Sequence, residues 1–302
     1  MKMNKSLAII NSICWKRKKN KNIKKHIDFL KTRCNADIIF TENIGHAGEI
    51  TEKAKNYTTL IAGGGDGTIG EIINKMDHEK QMLAILPLGT GNTLWNDLNL
   101  QKNISSSLQK IDLIECIFKR NGLLQKKYAH STTGFGFISE AAKFANRFLK
   151  PMENFCYPLA GTCKSFGQKA FTAKIQTPYL SAKSIYFTSF IVNNTSYIGN
   201  IRVFPGADLS DGKMNILYGK TNTCSQLVTN ISMFMNLHFY NPGKRTEETQ
   251  INLILKGPQH LMIDGEIVDS VEEVTYKILP GRLKIWGCPK DTKLMKVLTS
   301  ST

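Results

Sequence analysis

Two glycine-rich turns carry the residue types and spacing best suited to chemistry. Gly63, Gly64, Gly65, Asp66, Gly67 and Thr68 stand in one run. Glycines let main chain approach an anion closely, while amides at a helix start and the Thr68 hydroxyl supply donors, so the run reads as a phosphate cradle. It lacks the G-x-x-x-x-G-K-[ST] lysine of a P-loop and the G-x-G-x-x-G spacing of a dinucleotide fingerprint. An ordinary tight turn is the plain alternative, and three consecutive glycines followed by an acid weigh against it. Pro87, Leu88, Gly89, Thr90, Gly91 and Asn92 form a second such turn. Two glycine turns from neighbouring strand ends can hold opposite sides of one polyphosphate. Near the end of the chain Asp264 and Glu266 flank Gly265. Alone, this triplet reads as a surface hairpin turn.

The elements that must position these residues follow from periodicity. Buried-type strands are expected at residues 7–10, 36–41, 59–62 and 83–86. Between them, Ile23, Ile27, Leu30 and Cys34, then Ala47, Ile50, Ala54 and Tyr57, then Ile69, Ile72, Ile73 and Met76 fall on helical faces. This alternation predicts an open, largely parallel sheet covered on both faces by helices. After about residue 110 the period becomes two. Val274, Tyr276 and Ile278 alternate with polar residues, a Pro280-Gly281 turn follows, and Leu283 and Ile285 alternate again. Residues 184–192, 214–218, 251–255 and 260–263 are further strands, with one helix-like interruption between Glu140 and Lys169. The fold class is thus α/β followed by an antiparallel β-sandwich.

Composition bounds the partners. The formal charge of +16 and pI near 9.5 imply attraction to something acidic. The basic run at residues 16–25 reads either as a solvated face or as a contact with anionic lipid. Met233, Phe234, Met235, Leu237, Phe239 and Tyr240, followed by Lys244-Arg245, read as a core helix or as an apolar lip with a basic edge. Charge alone admits nucleic acid, yet no nucleic-acid module is recognisable, and no histidines have metal-ligand spacing. Seven scattered cysteines without a C-x-x-C pair suit a reducing, cytoplasmic setting. No apolar run approaches the roughly 20 residues of a membrane span, so any membrane contact is expected to be peripheral. A homodimer is compatible with the sequence.

The ordered motifs resemble the diacylglycerol kinase catalytic-domain family, whose bacterial lipid kinases are related to sphingosine kinases. Gly64 to Thr68 with Glu71 and Asn74, then Pro87 to Asn92, match its GGDGT-x-x-E-x-x-N and P-x-GT-x-N motifs. Thr41 with His46-Ala47, Gly134 to Phe137, Asn193-Asn194, Pro205 to Ala207, Asp211 to Lys213, Asp264 to Glu266 and a closing hairpin at Leu279 to Leu283 continue the match along nearly the whole chain. The family's opening N-P-x-[SA]-G turn keeps Asn11 but has Trp15 where glycine is usual.

The resemblance implies a nucleotide-binding domain at residues 1–110, akin to NAD kinases and phosphofructokinases and completed by 287–302, with a β-sandwich acceptor domain at 111–286. It implies an ATP site formed by Asn11, Thr41, Gly64, Gly65, Asp66, Gly67, Thr68, Ile69, Gly70, Thr90, Gly91 and Asn92. Asp66 would act through nucleotide-bound Mg²⁺, Glu266 would accept the proton, and Asp264 would stand beside it in the catalytic set. Glu140 resembles the acid that sphingosine kinases direct at their lipid hydroxyl, or it is a solvated residue of a helix start. A structural Mg²⁺ is implied at Asp211 with main-chain groups of Asp208 and Lys213. The expected activity is transfer of the γ-phosphate of ATP to a hydroxyl of diacylglycerol or a related membrane lipid. A sphingoid base, ceramide or NAD as acceptor, and a non-catalytic nucleotide- or lipid-binding module, are the alternatives.

Overall fold

The computed structural model describes residues 5–17, 23–32, 34–100, 108–149, 156–178, 180–199, 201–234 and 243–286. The chain divides into two compact units, with boundaries at Ile111/Asp112 and again at Gly281/Arg282.

In the N-terminal unit the strands are β1 (Ser6–Asn11), β2 (Ala36–Thr41), β3 (Thr59–Gly64) and β4 (Met82–Pro87). They pair in parallel in the order β4-β3-β1-β2. The connecting helices are α1 (Ser12–Arg17), α2 (Ile23–Thr32), α3 (His46–Lys53) and α4 (Asp66–Ile73), with α5 (Thr93–Leu100) after β4. The central strands are apolar on both faces because helices cover both. Leu7 to Ile10, Leu60, Ala62 and Leu83 are all buried, and Ile69, Ile72 and Ile73 of α4 close over them. All four expected strands form, each at or near its expected bounds.

The second unit holds β5 (Leu108–Arg120, which enters from the first unit), β6 (Leu123–Ala129), β7 (Thr132–Gly136), β8 (Phe171–Thr177), β9 (Leu180–Phe187), β10 (Ser189–Asn193) and the short pair β11 (Tyr197–Ile198) and β12 (Ile201–Arg202). β13 (Met214–Gly219), β14 (Lys244–Glu248), β15 (Gln250–Ile263) and β16 (Glu266–Trp286) follow. Helices α6 (Phe137–Phe144) and α7 (Cys156–Lys164) flank a π-helical turn, Ala145–Leu149, and α8 (Thr223–Phe234) lies between β13 and β14. The pairs β7–β10, β10–β13, β15–β16, β5–β6 and β8–β9 are antiparallel, and Phe118, Phe135, Phe187, Phe190, Leu253 and Tyr276 belong to a single core.

Three expectations are corrected here. Residues 251–255 and 260–263 form one strand, β15, whose register shifts between Ile254 and Gln259 around Gly257-Pro258. That bulge lets its first half pair with β8 and its second half with β7. Residues 184–192 break at Thr188 into β9 and β10. Pro280-Gly281 does not turn the chain back. β16 continues through it with Gly281 at φ 59, and Ile285 then pairs in parallel with Leu83. The Gly281 amide that a hairpin would have used donates instead to Asp112 Oδ1 at 2.7 Å. The apolar segment at residues 235–240 and much of the basic run lie outside the described residues.

Candidate active site

The cradle forms where β3 ends at Gly64 and α4 starts at Asp66. Its glycines are required first by packing. A Cβ on Gly89 would lie 2.2 Å from Gly65 Cα, and one on Gly64 would lie 2.4 Å from Thr68 Oγ1. The two glycine turns therefore interlock main chain against main chain. The Leu88 and Gly89 amides donate to Gly64 O at 3.1 and 3.2 Å. Asn92, at φ 45, locks the second turn by accepting from the Gly89 amide at 3.0 Å and donating to Gly89 O at 2.7 Å. Gly67 and Gly70, by contrast, face open space. The first amides of α4 lie outside the helical ladder and are the natural donors to an anion there.

Polar side chains set the cradle's edges. Thr93 Oγ1 donates to Asp66 Oδ2 at 3.1 Å, fixing a partly exposed carboxylate at the start of α4. Asn11 Nδ2 donates to Thr68 Oγ1 at 3.3 Å while its Oδ1 accepts from the Ile13 and Cys14 amides, capping α1. Thr41 O accepts from the Ser12 hydroxyl. Asn11, Thr41 and Thr68 thus come together at the carboxyl ends of β1, β2 and β3, where parallel sheets bind ligands. Thr90 is exposed, and Gly91 O accepts from Asn96 Nδ2 at 2.9 Å. Ile69 is a core residue, so its main chain alone is available to a ligand. Glu71 serves the structure, because its carboxylate accepts from the Gly45 and Ala47 amides at 2.9 and 3.1 Å and so ties the first glycine motif to the start of α3.

The second unit carries the late carboxylates on the turn between β15 and β16. Asp264 and Gly265 have φ 47 and 87, as a two-residue type I′ turn demands, and Ile263 pairs with Glu266. The two acids then part company. The Asp264 side chain is only 6% exposed and accepts three main-chain hydrogen bonds, from His130 at 2.8 Å and from Ser131 and Thr132 at 3.0 Å. His130 Nε2 lies 3.6 Å away. Burial pushes the Asp264 carboxyl above its ordinary range, against the pull of the His130 imidazole and of the three amides. Glu266 is 66% exposed and pairs with Lys127 Nζ at 2.7 Å. Asn146, on the π-helical turn, donates to Gly265 O at 2.7 Å and fixes the turn from its other side.

Beneath this turn lies a buried polar layer. Thr132 donates to Asn193 Oδ1, Ser131 Oγ lies 3.1 Å from Thr195 Oγ1, and Asn194 Nδ2 donates to Asp112 O at 3.0 Å. Sequence reasoning missed Asp112 and Asn146. Asp112 is buried, and its carboxylate accepts from the Gly212 and Gly281 amides, each at 2.7 Å. Its signal was an acid set between Ile111 and Leu113 in the apolar stretch of β5; Asn146 had none.

Glu140 is in the first turn of α6, within 3.8 Å of both Lys164 Nζ and His260 Nε2. His260 also reaches Asp269, and Lys143 lies beside both. Of the proposed structural metal residues, Asp208 accepts from Ser210, Asp211 accepts from the Lys213 amide at 2.9 Å, and Lys213 Nζ pairs with Glu247 at 2.9 Å. Burial pushes Asp211 up, opposed by the Lys213 amide and reinforced by the Asp208, Asp112 and Glu247 carboxylates. Among the described residues no three His, Cys, Asp or Glu side chains group as metal ligands.

The fold is thus an α/β unit that carries a glycine-rich cradle at its strand ends, followed by a β-rich unit. Residues 5–117 match the model of the diacylglycerol kinase catalytic domain. It is 23% identical over 311 residues to a protein of Streptococcus pneumoniae serotype 4 described as a candidate lipid kinase, covering 96% of this chain and 100% of that protein. It is 25% identical over 192 residues to a diacylglycerol kinase of Staphylococcus aureus strain Newman, a match spanning 62% of this chain and 61% of that enzyme. The crystal structure of a diacylglycerol kinase from Bacillus anthracis strain Sterne has the same fold, with a TM-score of 0.70 at 19% identity over 97% of this chain and 99% of that one. Among the described residues no helix is long and apolar enough to cross a membrane.

Proposed function

We propose that this protein transfers the γ-phosphate of ATP to a hydroxyl of diacylglycerol or a related membrane lipid, working peripherally at an anionic membrane surface. The observation that carries the reading is the interlock of Gly65 and Gly89, which builds a rigid main-chain cradle whose open positions, Gly67 and Gly70, leave room for phosphate. Phosphoryl transfer gains chiefly from positioning and charge stabilisation, and such a cradle supplies both without covalent chemistry. Asp66, held by Thr93, fits the role of engaging nucleotide-bound Mg²⁺, an ion that neutralises charge on the transferring phosphate. Glu266 is the proton acceptor for the lipid hydroxyl; its exposure leaves it within reach of an acceptor. Asp264 acts through the turn, holding Glu266 in place by its bonds to His130, Ser131 and Thr132. The test is transfer of label from γ-labelled ATP to a panel of diacylglycerol, monoacylglycerol, sphingoid base, ceramide, phosphatidylglycerol and NAD. Labelled lipid is expected. Labelled NAD with unlabelled lipid would overturn the reading.

A further inference from the structure

The β5–β6 hairpin has a composition that the kinase reading does not use. Its turn is Asn121-Gly122, with φ 50 and 78, and Arg120 pairs with Leu123, Lys119 with Leu124 and Ile117 with Lys126. At its base Cys116 and Phe118 point into the core and are almost fully covered. Toward the tip the alternation fails, and every residue from Asn121 to Lys126 is exposed. Leu123 and Leu124, neighbours on one strand, point to opposite faces of the ribbon and are 68% and 75% exposed. A ribbon with leucine on both faces finds no protein surface to bury both, but a lipid phase surrounds it. Lys119, Arg120, Lys126 and Lys127 lie near the tip; Lys126 pairs with Glu115 at 3.5 Å and Lys127 with Glu266 at 2.7 Å, while the strand positions between Cys116 and Ala129 carry no acid.

We propose that this hairpin is a membrane wedge: Leu123 and Leu124 enter the acyl boundary of an anionic leaflet while Lys119, Arg120 and Lys126 contact its headgroups. The depth agrees with the chemistry. Lys127 is three residues along β6 from Leu124, about 10 Å at strand rise, and it pairs with Glu266. Apolar side chains of interfacial elements sit about 5–10 Å into the headgroup and acyl boundary. With the wedge seated, Glu266 lies at headgroup level, where the hydroxyl of a glycerolipid is found. This last step rests on the proposed lipid kinase activity; insertion itself does not. A second copy is a poorer occupant, because β6 pairs with β5 alone among the described strands and its lysines would meet their own kind across a shared edge.

The experiment uses the full chain and its Leu123→Ser/Leu124→Ser variant, whose exposed positions leave the core untouched. Each is sedimented with phosphatidylcholine vesicles with and without phosphatidylglycerol, then assayed with long-chain diacylglycerol in those vesicles and with a water-soluble short-chain analogue. The wild type is expected to bind the anionic vesicles, and the variant about ten-fold or more weakly, with unchanged Tm and unchanged turnover of the soluble analogue. A Leu124→Trp variant should show blue-shifted fluorescence on those vesicles and quenching by brominated lipid. Vesicle binding by the Ser variant equal to wild type overturns the wedge. If neither protein phosphorylates any lipid, the kinase reading fails while the binding comparison still decides the wedge.

Discussion

The glycine cradle and the Asp264-Gly265-Glu266 turn each set a carboxylate on a tight glycine turn, in opposite ways. In the cradle, close packing and open space fall on one short run of main chain. Gly65 is fixed by Gly89, while Gly67, two residues on, is open. In the turn, burial and exposure fall on two carboxylates with one glycine between them. Asp264 is saturated with main-chain donors inside the unit, and Glu266 stands outside paired with one lysine. A motif of clustered acids therefore need not be a cluster of catalysts. In this triplet one acid builds the platform and its neighbour stands exposed.

The largest expected effect would break the cradle itself. Gly89→Ala places a methyl group 2.2 Å from Gly65 Cα, and both turns must separate. ATP binding measured by calorimetry should vanish, and thermal unfolding should report a loss of about 1–3 kcal/mol. Gly67→Ala is the sharpening control, since its methyl enters open space. It should unfold like wild type yet bind ATP more weakly. Equal unfolding of the two variants would remove the distinction between packing and binding glycines.

In the turn, Asp264→Asn should act on stability. The amide keeps the shape but presents an N–H to one of the three donors, costing about 1.5–3 kcal/mol, read as a lowered midpoint in denaturant. A variant as stable as wild type would mean that Asp264 does not anchor the turn.

The smallest effect concerns His78, buried with its Nε2 2.8 Å from Ile73 O. Burial lowers its pKa from the ordinary 6.5, so the native state binds the proton less readily than the unfolded chain. Its contribution is complete above pH 6.5 and is lost as pH falls through the lowered folded value. His78→Gln should flatten that part of the stability profile in denaturant titrations between neutral and mildly acid pH. An unaltered profile would show that His78 is not its source.

The first unit was legible in the sequence because its determinants are local. Apolar strands at 7–10, 36–41, 59–62 and 83–86 and the i, i+3, i+4 face at Ile69, Ile72 and Ile73 each report on their own neighbourhood. The second unit was less so. Whether Pro280-Gly281 turns or continues depends on Asp112, 169 positions away, taking the Gly281 amide. Whether residues 251–263 make one strand or two depends on β7 and β8 as partners. The Asn121-Gly122 hairpin was written locally, in a dipeptide that favours type I′ turns, and it was overlooked among the stronger motifs. The roles of Asp264 and Glu266 could not be separated in sequence, because burial decides them and burial is set by His130, Ser131 and Thr132.

The most direct test joins calorimetry of ATP·Mg²⁺ binding to a lipid phosphorylation assay on the wild type and Glu266→Gln. Glutamine keeps the reach of the side chain and cannot take a proton. Binding of ATP·Mg²⁺ should be unchanged while kcat falls about 10²- to 10⁴-fold. A Glu266→Gln protein with wild-type kcat would contradict the account and move the base to another carboxylate.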